Sequence, residues 1–246
     1  MSASTAVLKA ESRLFSREPY TLFWLVGFPT LLLVILGLIP SFREHSADLG
    51  GRRVIDLYVP IVVLLALIVA GIQALPPVLA GYRENGILRR MSTTPVRPGS
   101  LLGAQILLHL AGGLASAILA IAVGRLVFGV ALPEHVPGYL VALALAATSA
   151  IATGAAIAAV SPNTKVTTVV GSVVFFPSLF TAGVWVPVQV LPDLLRRIVE
   201  FTPSGAASQA LDMASRGDWP DWTHLGVTAL WAVLLIAAAI RWFRWE

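Results

Sequence analysis

An amide or imidazole side chain lies well inside an apolar segment of this sequence at three positions: Gln73, Gln105 and His109. Gln105 and His109 are four residues apart, so they lie on the same face of a helix, one turn from each other. Among apolar neighbours an amide or an imidazole needs a hydrogen-bond partner, because an unpaired polar group is costly there. Two interpretations are open: these side chains hydrogen-bond between helices, or they form a polar wall along the path of a substrate.

The sequence lacks the patterns of the common catalytic and nucleotide-binding sites. It contains no Gly-Lys dipeptide, which excludes a phosphate-binding loop of the form G-x-x-x-x-G-K-[ST]. Neither an H-E-x-x-H zinc motif nor a G-x-S-x-G nucleophile elbow occurs, and the absence of cysteine excludes thiolate metal sites. We therefore predict no catalytic residue, no metal site and no cofactor in this chain.

Composition indicates an integral membrane protein. Of the 246 residues 57% are hydrophobic and only 12% are charged, and the mean hydropathy is +0.83. A soluble domain is roughly half apolar and a quarter charged. The net charge of +4 is modest, so it does not indicate a nucleic-acid partner.

Six apolar segments are long enough to cross a bilayer. A helix rises about 1.5 Å per residue, so roughly 30 Å of hydrocarbon takes about 20 residues. We predict a single all-α transmembrane domain over residues 1–246. Its six spans are Tyr20–Ile39, Leu57–Ala80, Leu101–Val123, Gly138–Val160, Val166–Val186 and Thr223–Ile240.

The distribution of basic residues predicts the orientation of these spans. With the N-terminus in the cytoplasm, ten of the 17 lysines and arginines lie inside and seven lie outside, as the positive-inside rule favours. The even number of spans then places both termini in the cytoplasm. Only two of the 17 are lysines, and Ala, Gly and Pro are abundant, which is typical of a GC-rich bacterial genome. We predict a bacterial plasma-membrane protein.

Two amphipathic segments are predicted to lie at the membrane surface. Residues 1–19 contain an apolar stripe over 4–18, which indicates an interfacial helix or, alternatively, a frayed polar leader. Residues 187–220 predict two short helices that dip into the outer leaflet, the first beginning at Pro192 and the second over 204–214. An ordinary amphipathic surface loop is the alternative for this segment.

A third segment, residues 81–100, joins the second and third spans. Its stretch Glu84–Met91 is long enough for about two helical turns, and Pro95 and Pro98 end it. The turns have an apolar and a basic side, formed by Ile87, Leu88 and Met91 and by Arg89 and Arg90. The residues alone allow either a short cytosolic helix tethered to two membrane helices or a charged loop that only fixes topology.

Three motifs lie beside the predicted spans. Glu84–Leu88 reads E-N-G-I-L and is followed by Thr94–Val96, T-P-V. Gly183–Pro187 reads G-V-W-V-P and is followed by Leu191-Pro192, and Pro203 precedes Ala210-Leu211. Together they resemble the motifs of ABC-2 type permeases, the membrane subunits of one class of ATP-binding cassette exporter. Two positions differ: Ile87 replaces the usual threonine, and Ser204-Gly205 replaces the aromatic residue often found after the proline.

This resemblance implies that residues 81–100 form a coupling helix that docks on a separate ATPase subunit, where ATP and Mg²⁺ would bind. It also implies a second permease copy or a paralogue, with the substrate path between the two subunits and Gln73, Gln105 and His109 as candidates to line it. The implied coupling residues are Glu84, Gly86, Ile87, Leu88, Arg89, Arg90 and Met91.

The resemblance therefore implies export of a hydrophobic or amphipathic small molecule out of the cell, as in the drug and antibiotic exporters of the family. The short loops favour this function over export of a lipid-linked glycan, which is the alternative within the family. An ion-driven carrier or a lipid-processing enzyme is the alternative from another class. Both would need ionisable groups inside the spans, where the sequence has almost none.

Overall fold

The computed structural model describes residues 3–92 and 98–242. Within these ranges six helices are long and apolar enough to cross a membrane, which confirms the predicted fold class. The spans are α2 (Pro19–Gly37), α3 (Val54–Glu84), α5 (Pro98–Phe128), α6 (Val136–Val160), α7 (Thr164–Ala182) and α10 (Trp222–Trp242). The shorter helices are α1 (Ala3–Phe15), α4 (Ile87–Ser92), α8 (Asp193–Glu200) and α9 (Pro203–Ser215).

Helix α3 lies at the centre of the bundle. In its most apolar stretch 94% of the residues are buried, whereas the corresponding stretches of the other five spans have between 17% and 50% of their residues buried. The sequence explains this position, because residues 57–72 are apolar on every side of the helix and a helix without a polar face is buried on all sides. The other spans pack around α3 and expose their remaining apolar faces.

Helices α3 and α6 cross in direct backbone contact. A Cβ added to Gly154 would lie 1.8 Å from the carbonyl oxygen of Gly71, and one added to Gly71 would lie 2.2 Å from that of Ala150. Ala146, Ala150 and Ala158 continue the same small-residue face and are buried. Small side chains thus let two backbones approach, which is how helices associate tightly in lipid.

A π turn, Val69–Ala74, interrupts α3 near its middle. Pro76 and Pro77 follow it, so the carbonyl of Ile72 has no N–H donor either four or five residues ahead. Gly171 of α7 lies against that carbonyl, since a Cβ there would be 3.3 Å from the oxygen. The prolines therefore distort the helix at a place where α7 packs against it.

The two short helices before α10 differ in their surroundings. Helix α9 is buried along almost its whole length, and Asp212 in it forms ion pairs with Arg52 at 2.8 Å and Arg216 at 3.4 Å. Helix α8 instead exposes an apolar stripe in which Leu194 is 73% exposed. The ion pair between Asp212 of the buried α9 and Arg52 attaches the loop before α3 to the end of the bundle opposite α4.

Candidate coupling site at the end of α3

Asn85 and Gly86 separate α3 from α4, and Gly86 adopts the left-handed conformation. The φ angle of Gly86 is +65°, and no atom lies within 4 Å of the place a Cβ would occupy. A side chain would therefore fit at position 86, but the left-handed backbone favours glycine, because an L-residue with such a φ angle costs about 1–2 kcal/mol. The glycine of the E-x-G motif turns the chain from the membrane span into α4.

Helix α4 is attached to the rest of the chain by its apolar side. Leu88 is only 2% exposed, and Ile87 and Met91 are half-buried. Arg89 and Arg90 are exposed on the other side. Leu88 is one of the predicted coupling residues, and the structure buries its side chain within this chain. Thr94–Val96 lie outside the described residues.

Glu84, the first residue of the motif, caps the N-terminus of α7. Its carboxylate accepts hydrogen bonds from the backbone N–H of Thr164 at 2.9 Å and from the Thr164 hydroxyl at 2.6 Å. A carboxylate at this position satisfies a free N–H group and interacts favourably with the positive end of the helix dipole. The last residue of α3, separated by two residues from the start of α4, is therefore linked to the fifth span.

Arg83 makes the complementary contact at the C-terminus of α6. Its guanidinium donates to the carbonyl of Ala158 at 3.3 Å and to the carbonyl of Ser161. Ala158 lies in the last turn of α6 and Ser161 is the residue that follows the helix, so both carbonyls lie at the negative end of the dipole, which prefers a cation. Arg83 and Glu84 thus bind the two sides of the short connection between α6 and α7.

Tyr82 connects the same end of α3 to two further helices. Its hydroxyl donates to the Glu11 carboxylate of α1 at 2.7 Å, and the Gln105 amide of α5 donates to both groups, at 2.7 and 2.8 Å. His109 Nδ1 bonds the Gln105 carbonyl at 2.9 Å, and Phe15 contacts the imidazole edge-on at a centroid distance of 5.4 Å. This cluster joins α1, α3 and α5.

We call Tyr82, Arg83 and Glu84 the terminal triplet. Its three consecutive side chains bind α1 and α5, the end of α6, and the start of α7. Sequence reasoning named only Glu84 among them. A polar tripeptide directly after an apolar span was the available signal, because such residues lie at the membrane boundary where helix ends are free to be capped.

The structure separates the three predicted path residues. Gln105 and His109 are 4% and 1% exposed and lie at the contact with α1. Gln105 hydrogen-bonds between helices, to Glu11 and Tyr82, whereas His109 bonds the Gln105 carbonyl within α5 and contacts Phe15 of α1 through its ring. Gln73 lies on another side of α3, where it lines a groove with residues of α2 and α7. Of the three, only Gln73 lines that groove.

We expect Tyr82→Phe to lower the free energy of unfolding by about 1–2 kcal/mol, because the hydroxyl makes two hydrogen bonds worth about 1 kcal/mol each. A chain of this size should lose about 2–4 °C in Tm per kcal/mol. Thermal unfolding of the detergent-purified protein measures the change. Tyr139→Phe is the control, since the buried Tyr139 hydroxyl makes no hydrogen bond to any described residue. Equal losses in the two variants would contradict the role of Tyr82.

Comparison with known proteins identifies the family of this chain. A comparison with curated proteins finds no match. The family model described as "ABC-2 family transporter protein" matches residues 42–241, which include five of the six spans, α4 and the terminal triplet. The chain therefore belongs to the ABC-2 family of transporter proteins, as a membrane subunit of an ATP-binding cassette transporter.

Proposed function

We propose that this chain is the permease subunit of an exporter that moves a hydrophobic or amphipathic small molecule out of a bacterial cell. A separate ATPase subunit, which binds ATP and Mg²⁺, would dock on α4 in the cytoplasm and drive transport. The terminal triplet is the observation that carries the proposal. It connects the residues beside α4 to four other helices, as a coupling element requires.

The exposed side of α4 fits a docking surface on another protein. Arg89 and Arg90 give it two positive charges, and the half-buried Ile87 and Met91 lie at its edge. Interfaces of this kind combine a small apolar centre with a charged rim, and complementary charge guides the encounter. An acidic rim on the ATPase groove would match the two arginines.

A displacement of α4 would pass into the bundle through defined contacts. Leu88 fixes α4 to the chain, and Gly86 is the only residue with a left-handed backbone between α4 and α3. From α3 the displacement would reach α7 through Glu84 and α6 through Arg83. Both the Arg83 and the Glu84 contacts are charge-assisted hydrogen bonds at helix ends, which are stronger than hydrogen bonds between neutral groups.

A second permease copy would complete the transport path. Helices α2 and α7 expose large apolar side chains on neighbouring sides of α3, among them Ile35 at 52%, Val173 at 67% and Phe176 at 59%. Such surfaces are stable in contact with lipid or with another protein. A pair of copies facing each other there would enclose a path next to α3, the helix that the terminal triplet moves.

Single-cysteine cross-linking tests the docking site, because the natural chain contains no cysteine. In Arg90→Cys, a short cysteine-to-amine cross-linker should join the permease to its co-expressed ATPase. Arg197→Cys is the matched control, since it replaces another exposed arginine at the opposite end of the bundle. Cross-linking from position 197, or from neither position, would contradict the proposal. Transport that persists after the proton gradient is collapsed, but requires the ATPase, would exclude an ion-driven carrier.

A further inference from the structure

Two grooves on the surface of the bundle differ in their chemistry. The larger, about 850 Å³, lies between α5, α6 and α10, and its described lining is aliphatic apart from Thr148. The Thr148 hydroxyl is satisfied, because it donates to the Ala144 carbonyl at 2.7 Å. The smaller groove, about 430 Å³, lies between α2, α3 and α7. Only the smaller one combines aromatic rings with a free polar group.

That polar group is the side-chain amide of Gln73. It lies 11 residues before the end of α3 at Glu84, about 16 Å along the helix, and is therefore deep within the apolar part of the span. The amide is half-buried and makes no hydrogen bond to any residue that the structure describes. An unpaired amide at this depth is costly, because hydrocarbon offers neither donors nor acceptors. An occupant with a hydrogen-bonding group would remove that cost.

The walls of the groove favour a flat aromatic occupant. Tyr20, Trp24 and Phe28 lie four residues apart along one stripe of α2, with ring centroids 6.2 Å and 5.0 Å from one to the next. Phe175 of α7 belongs to the same lining. Aromatic rings gain more from packing against another ring than against an alkyl chain, because their quadrupoles add to the buried area.

We infer that this groove binds a flat aromatic amphipath whose carbonyl or hydroxyl group lies level with the Gln73 amide. The inference rests on the proposed function insofar as the bound compound is the exported one, but binding itself needs only the permease. A lipid acyl chain is the competing occupant of any apolar groove. It would leave the amide of Gln73 unpaired and gain nothing from the rings, so it fits the larger aliphatic groove instead.

A pair of three-ring probes tests this assignment. Anthraquinone carries two carbonyl acceptors, and anthracene has the same fused skeleton without them. Saturable binding to the full-length permease in lipid nanodiscs, without ATPase, is measured against empty discs. We expect anthraquinone to bind about tenfold more tightly, since one buried hydrogen bond distinguishes the probes. Gln73→Leu should reduce anthraquinone binding to the level of anthracene, and Trp24→Leu should weaken the binding of both.

Ala144→Leu is the control, because it narrows the larger groove and should change neither affinity. Gln73→Met provides a second apolar variant in case Gln73→Leu does not fold. Equal binding of the two probes to the natural chain, absence of saturable binding, or an unchanged preference in the Gln73 variants would overturn the inference. Loss of binding in Ala144→Leu would assign the probes to the larger groove and would also overturn it. These measurements do not involve the ATPase, so docking on α4 is judged separately by cross-linking.

Discussion

Gly154→Leu should abolish the folded bundle. Even the first added carbon would lie 1.8 Å from the carbonyl oxygen of Gly71, and backbone cannot move aside as a side chain does. To admit leucine, α6 would have to withdraw from α3, the helix that forms the buried centre. Overpacking a core costs about 1–3 kcal/mol even where side chains can shift, so a backbone clash costs more. The yield of monodisperse protein after membrane extraction, measured by size-exclusion chromatography, should fall close to zero.

Gly103→Leu is the matched control for this variant. Gly103 also lies inside a membrane helix, but it is exposed and has no atom within 4 Å of its Cβ position. Leucine there should keep the natural yield and add slightly to stability, since glycine is about 1 kcal/mol worse than alanine in a helix. Similar yields from the Gly154 and Gly103 variants would show that α3 and α6 do not cross in backbone contact.

Leu88→Asp should separate ATP hydrolysis from transport. Because Leu88 is 2% exposed, a carboxylate in its place would be buried without a partner. The least costly response is release of α4 from the bundle, since this helix has only six residues. We expect the permease to remain in the membrane, while transport per ATP hydrolysed in proteoliposomes falls more than tenfold.

Two variants make this result specific. Leu88→Met preserves apolar volume and should retain coupling, because exchange of leucine for methionine usually costs less than about 1.5 kcal/mol. Leu194→Asp introduces the same charge on α8, where the leucine is 73% exposed, and should leave the transport per ATP hydrolysed unchanged. Normal coupling in Leu88→Asp would contradict both the anchoring of α4 by Leu88 and its role in coupling.

The sequence was sufficient to predict the six spans, because a bilayer imposes a simple requirement on length and apolarity. The ends of the spans depend on local contacts that composition does not reveal. Helix α3 continues to Glu84, four residues past the predicted Ala80, because the terminal triplet finds hydrogen-bond partners there. Helix α7 ends at Ala182 rather than Val186, because Gly183 adopts a left-handed conformation with φ +89°.

The spacing of apolar and basic residues in α4 did not reveal which of its sides is buried within this chain and which is left for a partner. Helical spacing separates the apolar side from the basic side, but burial of Leu88 depends on the rest of the chain. The contact between Glu11 and Gln105 joins residues 94 positions apart, and no local pattern indicates it. Gln73 and Gln105 look alike in the sequence, as single amides within apolar spans. Only the fold shows that Gln105 hydrogen-bonds to other helices whereas Gln73 lines a groove.

The terminal triplet also restricts the kind of movement that α3 can make. Consecutive residues of an α-helix project about 100° apart, so Tyr82, Arg83 and Glu84 hold its end over roughly 200° of its circumference. The helix cannot twist about its own axis without dragging α1, α5, α6 and α7 with it. A torque applied at α4 would therefore act on the ends of four further helices, so even a partner with a small footprint could apply force to most of the bundle.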